Sequence, residues 1–272
     1  MESSLSQKEL PDFSSVTETK EAGLTSHALA MNYHRYRFAI DYCENRDVLE
    51  VACGNGQGLG YLATKAHRVV GGDFTESLAR NAQNHYRERL PVLRFDGQVM
   101  PFRDQAFDVI ILYEAIYYLP YPEKFLMECR RVLKPSGTLL ISTINREWAD
   151  FNPSPMSCRY FSARELADLL SAHGFHTSIF GAFPVEIHTK KDVLISLAKR
   201  MAIKLHLVPG SMKSKELLKR LFYGKLLPLP SELQEDMAEF SPPLELDGGR
   251  PTADYRVIYA VGRLPGSGAK AS

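Results

Sequence analysis

The chain has 272 residues, of which 44% are hydrophobic, enough for one large domain with a buried core. The 33 Lys and Arg residues nearly balance the 32 Asp and Glu residues, so the net charge of +1 gives no reason to expect a nucleic-acid partner. The N-terminus lacks a secretory pattern and no apolar run approaches about 18 residues, which predicts a cytoplasmic protein. The cysteines are far apart and form no C-x-x-C pair, so neither a disulfide framework nor a metal site is expected.

The first 26 residues differ from the rest of the chain. They are rich in Ser, Thr and acidic residues and have no apolar periodicity, which predicts a mobile tail over 1–26 without a chemical role. From Leu29 to Cys43 apolar residues recur at helical spacing and predict a helix that packs before the first strand. Its polar residues leave two interpretations open: an ordinary amphipathic helix, or a helix that closes over a ligand and turns His34 or Arg35 toward the ligand's carboxylate.

Strand and helix patterns then alternate. The strand candidates are short, rich in Val, Ile and Leu, and mostly lack in/out alternation, as expected for parallel strands covered on both faces. They span 47–52, 68–73, 91–95, 108–113, 137–143, 176–182 and 255–262. Helices are predicted over 76–88, from Pro122 to the KPSG run at 134–137, and from the capping box of Ser162 and Glu165 to Gly174. This order predicts an α/β fold with a doubly wound, mostly parallel sheet of seven strands, its core formed by 27–182 and 253–263.

About 70 residues separate the last two predicted strands, too many for a structureless loop. Apolar spacing over 194–205 and 217–222 predicts a helical lobe over 183–252, inserted before the last strand as a lid.

Charge is segregated within this lobe. The 190–225 segment has ten basic and two acidic residues, whereas 231–247 has six acidic residues and no basic one. The basic segment is expected to hold an anionic acceptor or to make peripheral contact with an anionic membrane. The alternative is a solvated helix face whose charges pair with the acidic segment.

The stretch VLEVACGNGQGLG at 48–60 joins a predicted strand to four glycines. A strand that runs into Gly54 and Gly56 and then a helix lets backbone N–H groups and the positive helix end face a ligand. The dinucleotide fingerprint G-x-G-x-x-G would need glycine at position 59, which is Leu59, so a nicotinamide or flavin ligand is disfavoured. Gly58 and Gly60 are interpreted as helix-packing glycines.

Three acids accompany this loop. Glu50 lies inside the apolar strand, where an ionised carboxylate is costly unless backbone N–H groups of the loop or a cationic ligand partner it. Asp73 and Asp96 end the second and third predicted strands, at the rim where open α/β sheets bind ligands. A nucleoside that carries positive charge and no phosphate suits this combination.

These motifs resemble those of class I S-adenosylmethionine-dependent methyltransferases, over about 100 ordered residues. LEVACGNG (49–56) resembles the family's first motif, with Ala52 where glycine is more usual, and VVGGDF (69–74) resembles the ribose-binding second motif. The run 94–119 resembles the third and fourth motifs, and RVLKPSGTLLIST (131–143) resembles the segment that leads into the fifth strand. The resemblance implies a Rossmann-like fold and S-adenosyl-L-methionine as cofactor.

The resemblance also assigns roles. Backbone at Ala52, Gly54 and Gly56 would cradle the methionine portion, and Glu50 is the first motif's acid. The remaining cofactor-binding residues would be Asp73 and Phe74 at the ribose, Asp96 and Gly97 at the adenine edge, and Tyr113 near the sulfonium.

A catalytic histidine is not expected. In many small-molecule relatives a histidine follows the fourth strand, but here the run is EAIYYL (114–119), with Tyr118 at that position. Catalysis is therefore expected to depend mainly on positioning, with Glu114, Tyr117 and Tyr118 as candidate proton acceptors or orienting groups.

The predicted function is methyl transfer from S-adenosylmethionine to a small-molecule, sugar or lipid-linked acceptor, at oxygen. Two alternatives remain open. One is carbon methylation of a quinone-like or polyketide-like ring, and the other is a noncatalytic cofactor-binding module that serves as a partner or regulator.

Overall fold

The computed structural model describes residues 11–17, 24–185, 227–246 and 252–266. Over these ranges the helices are α1 (Ser26–Cys43), α2 (Leu59–Leu62), α3 (Glu76–Tyr86), α4 (Pro122–Val132) and α5 (Ala163–Ala172). The strands are β1 (Asp47–Val51), β2 (Arg68–Asp73), β3 (Val92–Arg94), β4 (Phe107–Tyr113), β5 (Leu133–Ile144), β6 (His176–Pro184), β7 (Leu244–Glu245) and β8 (Tyr255–Arg263). The predicted alternation of strands and helices is confirmed.

The strands form one sheet in the order β3-β2-β1-β4-β5-β8-β6-β7. From β3 to β5 all neighbours pair in parallel, and β8 inserts antiparallel between β5 and β6. The doubly wound, mostly parallel α/β fold is therefore confirmed. The prediction of seven strands misses one, because β7 is a two-residue edge strand with both side chains exposed and no apolar pattern.

Helices cover both faces of this sheet, which explains why its strands are apolar on both sides. Alternate residues of β1 show the division: Leu49 packs in the cluster of α4 and α5, whereas Val48 packs in the cluster of α1, α2 and α3. Local sequence fixes the helix starts. Pro122 is the first residue of α4, and Ser162 forms the predicted capping box with Glu165.

Gly58 allows α1 to pack closely against the loop after β1. A Cβ on Gly58 would lie 1.8 Å from Cε1 of Tyr36, a ring that is itself buried. We expect Gly58→Ala to lower the free energy of unfolding by about 1–3 kcal/mol, measured by urea denaturation. Gly266→Ala is the control, because its Cβ would meet only the hydroxyl oxygen of Ser136, at 3.1 Å. Equal stability of the two variants would contradict this packing.

Two segments were predicted to lie outside the core: the tail over 1–26 and the helical lobe over 183–252. Residues 11–17, part of the tail predicted over 1–26, contain a 3-10 turn (Phe13–Ser15) that lies against the core, and Leu24 is buried and bridges to Leu227. The few apolar side chains of these residues find partners on the sheet rim, and the mobility of the tail stays a prediction. The predicted helices over 194–205 and 217–222 lie outside the described residues, so the lobe stays a prediction.

Two acids of the 231–247 segment pair with the core. Glu232 forms ion pairs with His85 and Arg89, and Glu235 lies 3.6 Å from the guanidinium of Arg37. These two carboxylates therefore do not need the basic segment as their partner. Among the described helices, none is long and apolar enough to cross a bilayer.

Candidate active site

A cavity of about 630 Å³ opens beyond the carboxyl ends of the parallel strands β1, β2 and β4. The chain leaves β1 toward β2 and β3 on one side and returns through β4 on the other, so the cavity lies at the topological switch point of the sheet. Its volume is within the about 300–1,000 Å³ typical of small-molecule sites. The predicted residues that line it are Ala52, Gly54, Asp73, Phe74, Asp96, Gly97, Tyr113, Glu114, Tyr117 and Tyr118.

The glycine loop presents bare backbone to this cavity. Gly54 and Gly56 have φ of +57° and +81°, in the left-handed region that favours glycine. Ala52 also has a positive φ, +58°, which costs on the order of 1 kcal/mol and explains why glycine is the more usual residue in the motif that this loop resembles. Gly56 is outside the cavity lining and packs against Tyr86.

Asp73 connects the end of β2 to the glycine loop. Its Oδ2 accepts the N–H of Gly54 at 2.9 Å, and its Oδ1 accepts the N–H of Thr75 at 2.8 Å. A carboxylate has about four acceptor positions, so each oxygen can still accept a ligand hydroxyl. Burial raises the pKa of Asp73, against the lowering effect of these two backbone bonds.

Glu50 lies behind the cavity, outside its lining, and is 1% exposed. The hydroxyl of Tyr36, on α1, donates to its Oε1 at 2.5 Å, whereas Oε2 has no hydrogen-bond partner within the described ranges. Burial raises the pKa of Glu50 to about 7; the Tyr36 bond lowers it and the Asp73 charge raises it. The sequence showed that this acid needs a partner, but not that the partner is Tyr36.

The raised pKa of Glu50 makes stability depend on pH. Its carboxyl is neutral in the folded protein up to about pH 7 but ionises at about 4.5 when unfolded. Its stabilising contribution is therefore complete below pH 4.5 and is lost as the pH rises through 7. Between pH 4.5 and 8 we expect the ligand-free wild type to lose about 3 kcal/mol of unfolding free energy relative to Glu50→Gln. Urea titrations of both proteins test this, and a constant difference across that range would contradict it.

Asp96 and Gly97, the residues to which the resemblance gives the adenine edge, lie in the loop after β3. Asp96 Oδ1 accepts the backbone N–H of Gln98 at 2.8 Å, which fixes the turn. A Cβ on Gly97 would lie 2.9 Å from Cγ1 of Val51, so this residue lets the loop approach β1. Both residues line the cavity.

Tyr113, at the end of β4, is buried among aromatic rings. Its ring packs edge-on against Tyr36 and Tyr259 at centroid distances of 5.7 and 6.3 Å. Its hydroxyl is buried and has no hydrogen-bond partner among the residues that the structure describes. Because an unpaired buried hydroxyl is costly, this group is available to a polar ligand atom.

Glu114 follows β4 directly and is held by three side chains. Its Oε1 accepts the Ser142 hydroxyl at 3.0 Å and lies 3.4 Å from Nη2 of Arg35, and its Oε2 accepts the Tyr117 hydroxyl at 3.2 Å. Glu114 also has a φ of +51°, a strained conformation for a residue with a side chain. Strain of this kind clusters at functional sites.

The two tyrosines beside Glu114 differ from it chemically. Tyr117 stacks on Tyr160 with 4.2 Å between ring centroids, and the Tyr118 hydroxyl donates to the Ser154 hydroxyl at 2.8 Å. Burial raises the pKa of both phenols, so both stay protonated near neutral pH. Of the three predicted catalytic candidates, only Glu114 is therefore suited to accept a proton. Tyr117 and Tyr118 are suited to donate hydrogen bonds and line the cavity.

The sequence left open whether His34 or Arg35 of α1 turns toward a ligand, and the structure places these two residues differently. His34 is buried away from the cavity lining, with Nδ1 3.0 Å from the Tyr259 hydroxyl and Nε2 2.7 Å from the carbonyl of Ser241. Arg35 lines the cavity and forms the ion pair with Glu114. Sequence reasoning missed Phe13 and Leu229, which also line the cavity, because neither lies in a motif.

Comparisons with known proteins agree with this geometry. Residues 49–141 match the family model described as a methyltransferase domain. A probable S-adenosylmethionine-dependent methyltransferase from Mycolicibacterium smegmatis is 35% identical over 146 residues, covering 52% of this chain and 56% of that protein. A phthiotriol/phenolphthiotriol dimycocerosates methyltransferase from Mycobacterium ulcerans is 37% identical over 145 residues, covering 49% of this chain and 52% of that protein.

Solved structures share the fold. The YcgJ protein from Bacillus subtilis has a TM-score of 0.56 at 17% identity, covering 86% of this chain and 99% of its own. The cyclase SpnF has a TM-score of 0.57 at 18% identity, covering 89% of this chain and 82% of its own. At these identities the likeness concerns the fold alone.

Residues 49–141 thus match a methyltransferase domain, and the motifs and relatives agree with the class I, S-adenosylmethionine-dependent type. The cofactor of this class is S-adenosyl-L-methionine. The chain spans about half the length of the curated relatives that it matches.

Proposed function

We propose that the protein is an enzyme that transfers a methyl group from S-adenosylmethionine to a hydroxyl oxygen of an apolar, lipid-like acceptor. The observation that carries the proposal is the position of Glu114, which lines the same cavity as the glycine loop and Asp73. Its backbone is strained, and Arg35, Ser142 and Tyr117 hold its carboxylate. Methylation of a hydroxyl is faster when a nearby group accepts the hydroxyl proton, and Glu114 lies where it could do so.

The residues present fit the cofactor. Gly54 and the strained Ala52 offer backbone without bulky side chains, and Asp73 keeps acceptor capacity for two ribose hydroxyls. Glu50 and Asp73 are buried acids with raised pKa values, and a positively charged ligand would favour their ionised forms. When bound, S-adenosylmethionine supplies an electrophilic methyl group on a positively charged sulfur.

In this proposal the chain's own residues position the acceptor and remove its proton. Glu114 accepts the hydroxyl proton as the oxygen becomes nucleophilic, and the hydrogen bonds from Ser142 and Tyr117 keep its carboxylate oriented. The Arg35 guanidinium lies 3.4 Å from Oε1 of Glu114 and helps to hold the side chain in place.

The lining supports an apolar acceptor. The cavity lining includes apolar side chains from separate parts of the chain, namely Met31, Leu119, Ile144 and Leu229. Arg35 and Glu114 form an ion pair, so neither charge attracts an ionic group of the acceptor. The relative from Mycobacterium ulcerans is named for phthiotriol dimycocerosates, which are lipids, and this agrees with the lining.

Transfer of a labelled methyl group tests the proposal. Purified protein is incubated with methyl-labelled S-adenosylmethionine and three acceptor sets: long-chain diols, nucleotide sugars, and quinone-like or polyketide-like phenols. Mass spectrometry and NMR then locate the label. We expect label on oxygen of the diols; label on a ring carbon would favour the alternative of carbon methylation, and cofactor binding without transfer to any set would favour a noncatalytic module.

Membrane contact through the basic 190–225 segment is a further part of the proposal, supported by its ten basic residues and by the lipid-like acceptor. In liposome flotation at low salt, we expect the protein to bind vesicles that contain anionic phospholipid and not zwitterionic ones. Reversing three charges of the segment, in Lys213, Lys215 and Lys219 to Glu, should abolish flotation. Reversing Arg80, Lys65 and Arg164, which lie elsewhere, is the matched control. Wild-type protein that stays at the bottom of the gradient would contradict membrane contact.

A further inference from the structure

The segment 11–17 is a self-capped turn attached to the rim of β2. Asp12 accepts the N–H of Ser14 at 2.9 Å, and the N–H groups of Val16 and Thr17 both donate to the carbonyl of Phe13 at 3.1 Å. The N–H of Phe13 donates to the hydroxyl oxygen of Thr75 at 3.3 Å. Thr75 comes two residues after Asp73, so the turn is attached next to the acid that borders the glycine loop.

Phe13 lies between the two ends of the cavity. Its ring contacts Phe74 at a centroid distance of 6.2 Å and Tyr118 at 5.0 Å. The methyl group of Thr17 lies 3.5 Å from the position that a Cβ on Gly54 would take. The segment therefore contacts both the β2 wall and the wall that holds Tyr118 through Phe13, and it reaches the glycine loop at Thr17.

The side chains of this segment suit contact with a ligand. Pro11, Phe13, Val16 and Thr17 all line the cavity, and the Phe13 ring is only partly buried. A flat nucleoside or an apolar acceptor in the cavity would cover the remaining face of this ring and gain apolar burial and ring contact. An apolar wall at this point would also exclude water from the place where methyl transfer is proposed.

We propose that the cavity-lining residues of this segment, Pro11, Phe13, Val16 and Thr17, are part of the ligand site and that Phe13 is a binding residue shared by the cofactor end and the acceptor end. The proposal rests on the proposed function, because it takes Phe74 and Glu114 to mark those two ends. Phe13 already contacts Phe74 and Tyr118, so a ligand that also contacts its ring should fix the segment further.

Binding of S-adenosylhomocysteine to the full chain tests the role of Phe13. By calorimetry we expect Phe13→Ala to weaken binding about tenfold and Phe13→Leu, which keeps apolar bulk, to weaken it less. The matched control is Ser15→Ala, an exposed residue of the same turn outside the cavity lining, with unchanged affinity. In hydrogen exchange, S-adenosylhomocysteine should slow exchange of the 11–17 amides in the wild type by about tenfold and have less effect in Phe13→Ala.

The outcomes separate this proposal from the proposed function. If Phe13→Ala binds like the wild type and the 11–17 amides exchange equally with and without S-adenosylhomocysteine, the role of Phe13 is refuted and the enzyme proposal is untouched. If the wild type binds and protects the segment but transfers methyl to no acceptor, the enzyme proposal fails and the role of Phe13 in binding stands. A wild type that does not bind S-adenosylhomocysteine would refute both.

Discussion

Replacing Asp73 by Asn is expected to weaken S-adenosylhomocysteine binding by about 100-fold. Asp73 accepts the N–H groups of Gly54 and Thr75 through its two oxygens, and the proposed function gives it two ribose hydroxyls as well. Asn has an amide NH2 group in place of one carboxylate oxygen. This NH2 group is a hydrogen-bond donor and would face either a backbone N–H or a ribose hydroxyl that also donates. The loss of two charge-assisted hydrogen bonds, at about 1.5 kcal/mol each, amounts to about two orders of magnitude in affinity.

Isothermal titration calorimetry measures this effect, and Asp41→Asn provides the control. Asp41 is a surface acid on α1 with 70% of its side chain exposed and an ion pair with Arg37, so its loss should leave affinity unchanged. Circular dichroism and urea titration of Asp73→Asn establish that the variant is folded. An affinity within threefold of the wild type in the folded variant would remove Asp73 from the ribose site.

Replacing Glu114 by Gln is expected to lower kcat by at least about 100-fold while leaving the affinity for S-adenosylhomocysteine within twofold. Gln keeps the size of the side chain and can still accept from Ser142, but it cannot take a proton from the acceptor. Proton removal by a positioned group contributes about 100-fold to 10,000-fold to rate. Steady-state kinetics with the acceptor found by methyl labelling gives kcat, and calorimetry gives the affinity.

Tyr118→Phe is the comparison for Glu114→Gln. It removes one hydroxyl that donates to Ser154 and that is kept protonated by its raised pKa, so we expect kcat to fall by less than about tenfold. The double variant should then be close to Glu114→Gln alone. Full turnover in the double variant would show that catalysis depends on positioning without proton removal.

The sheet was readable from the sequence because its strands carry a strong pattern. Buried parallel strands are continuous apolar runs, so β1, β2 and β4 are found almost to the residue. The two-residue β7 has no such pattern, since both of its side chains are exposed and only backbone pairing with β6 defines it.

Residues of the proposed cofactor end could be selected from the sequence and lie together in the cavity lining, because each belongs to a short local pattern. Glycines at positive φ and acids at strand ends are features of single short segments, so Gly54, Asp73 and Asp96 could be selected without knowledge of the fold. Strand register then brings them together, since parallel strands end at the same edge of the sheet.

The acceptor end could not be read in this way, because its contacts join distant parts of the chain. Arg35, on α1, meets Glu114 across 79 positions, and Phe13 meets Tyr118. No spacing rule links such pairs in a single sequence. The contacts of Phe13 were missed for the same reason: it lies in a polar, non-periodic segment whose few apolar residues find partners only in the folded chain.

The central claim is that the rim of β1, β2 and β4 binds the nucleoside of S-adenosylmethionine. Calorimetric titration of the wild-type chain with S-adenosylhomocysteine and, separately, with NAD tests it most directly. We predict saturable binding of one S-adenosylhomocysteine per chain and no heat of binding with NAD. Uptake of NAD together with indifference to S-adenosylhomocysteine would contradict it.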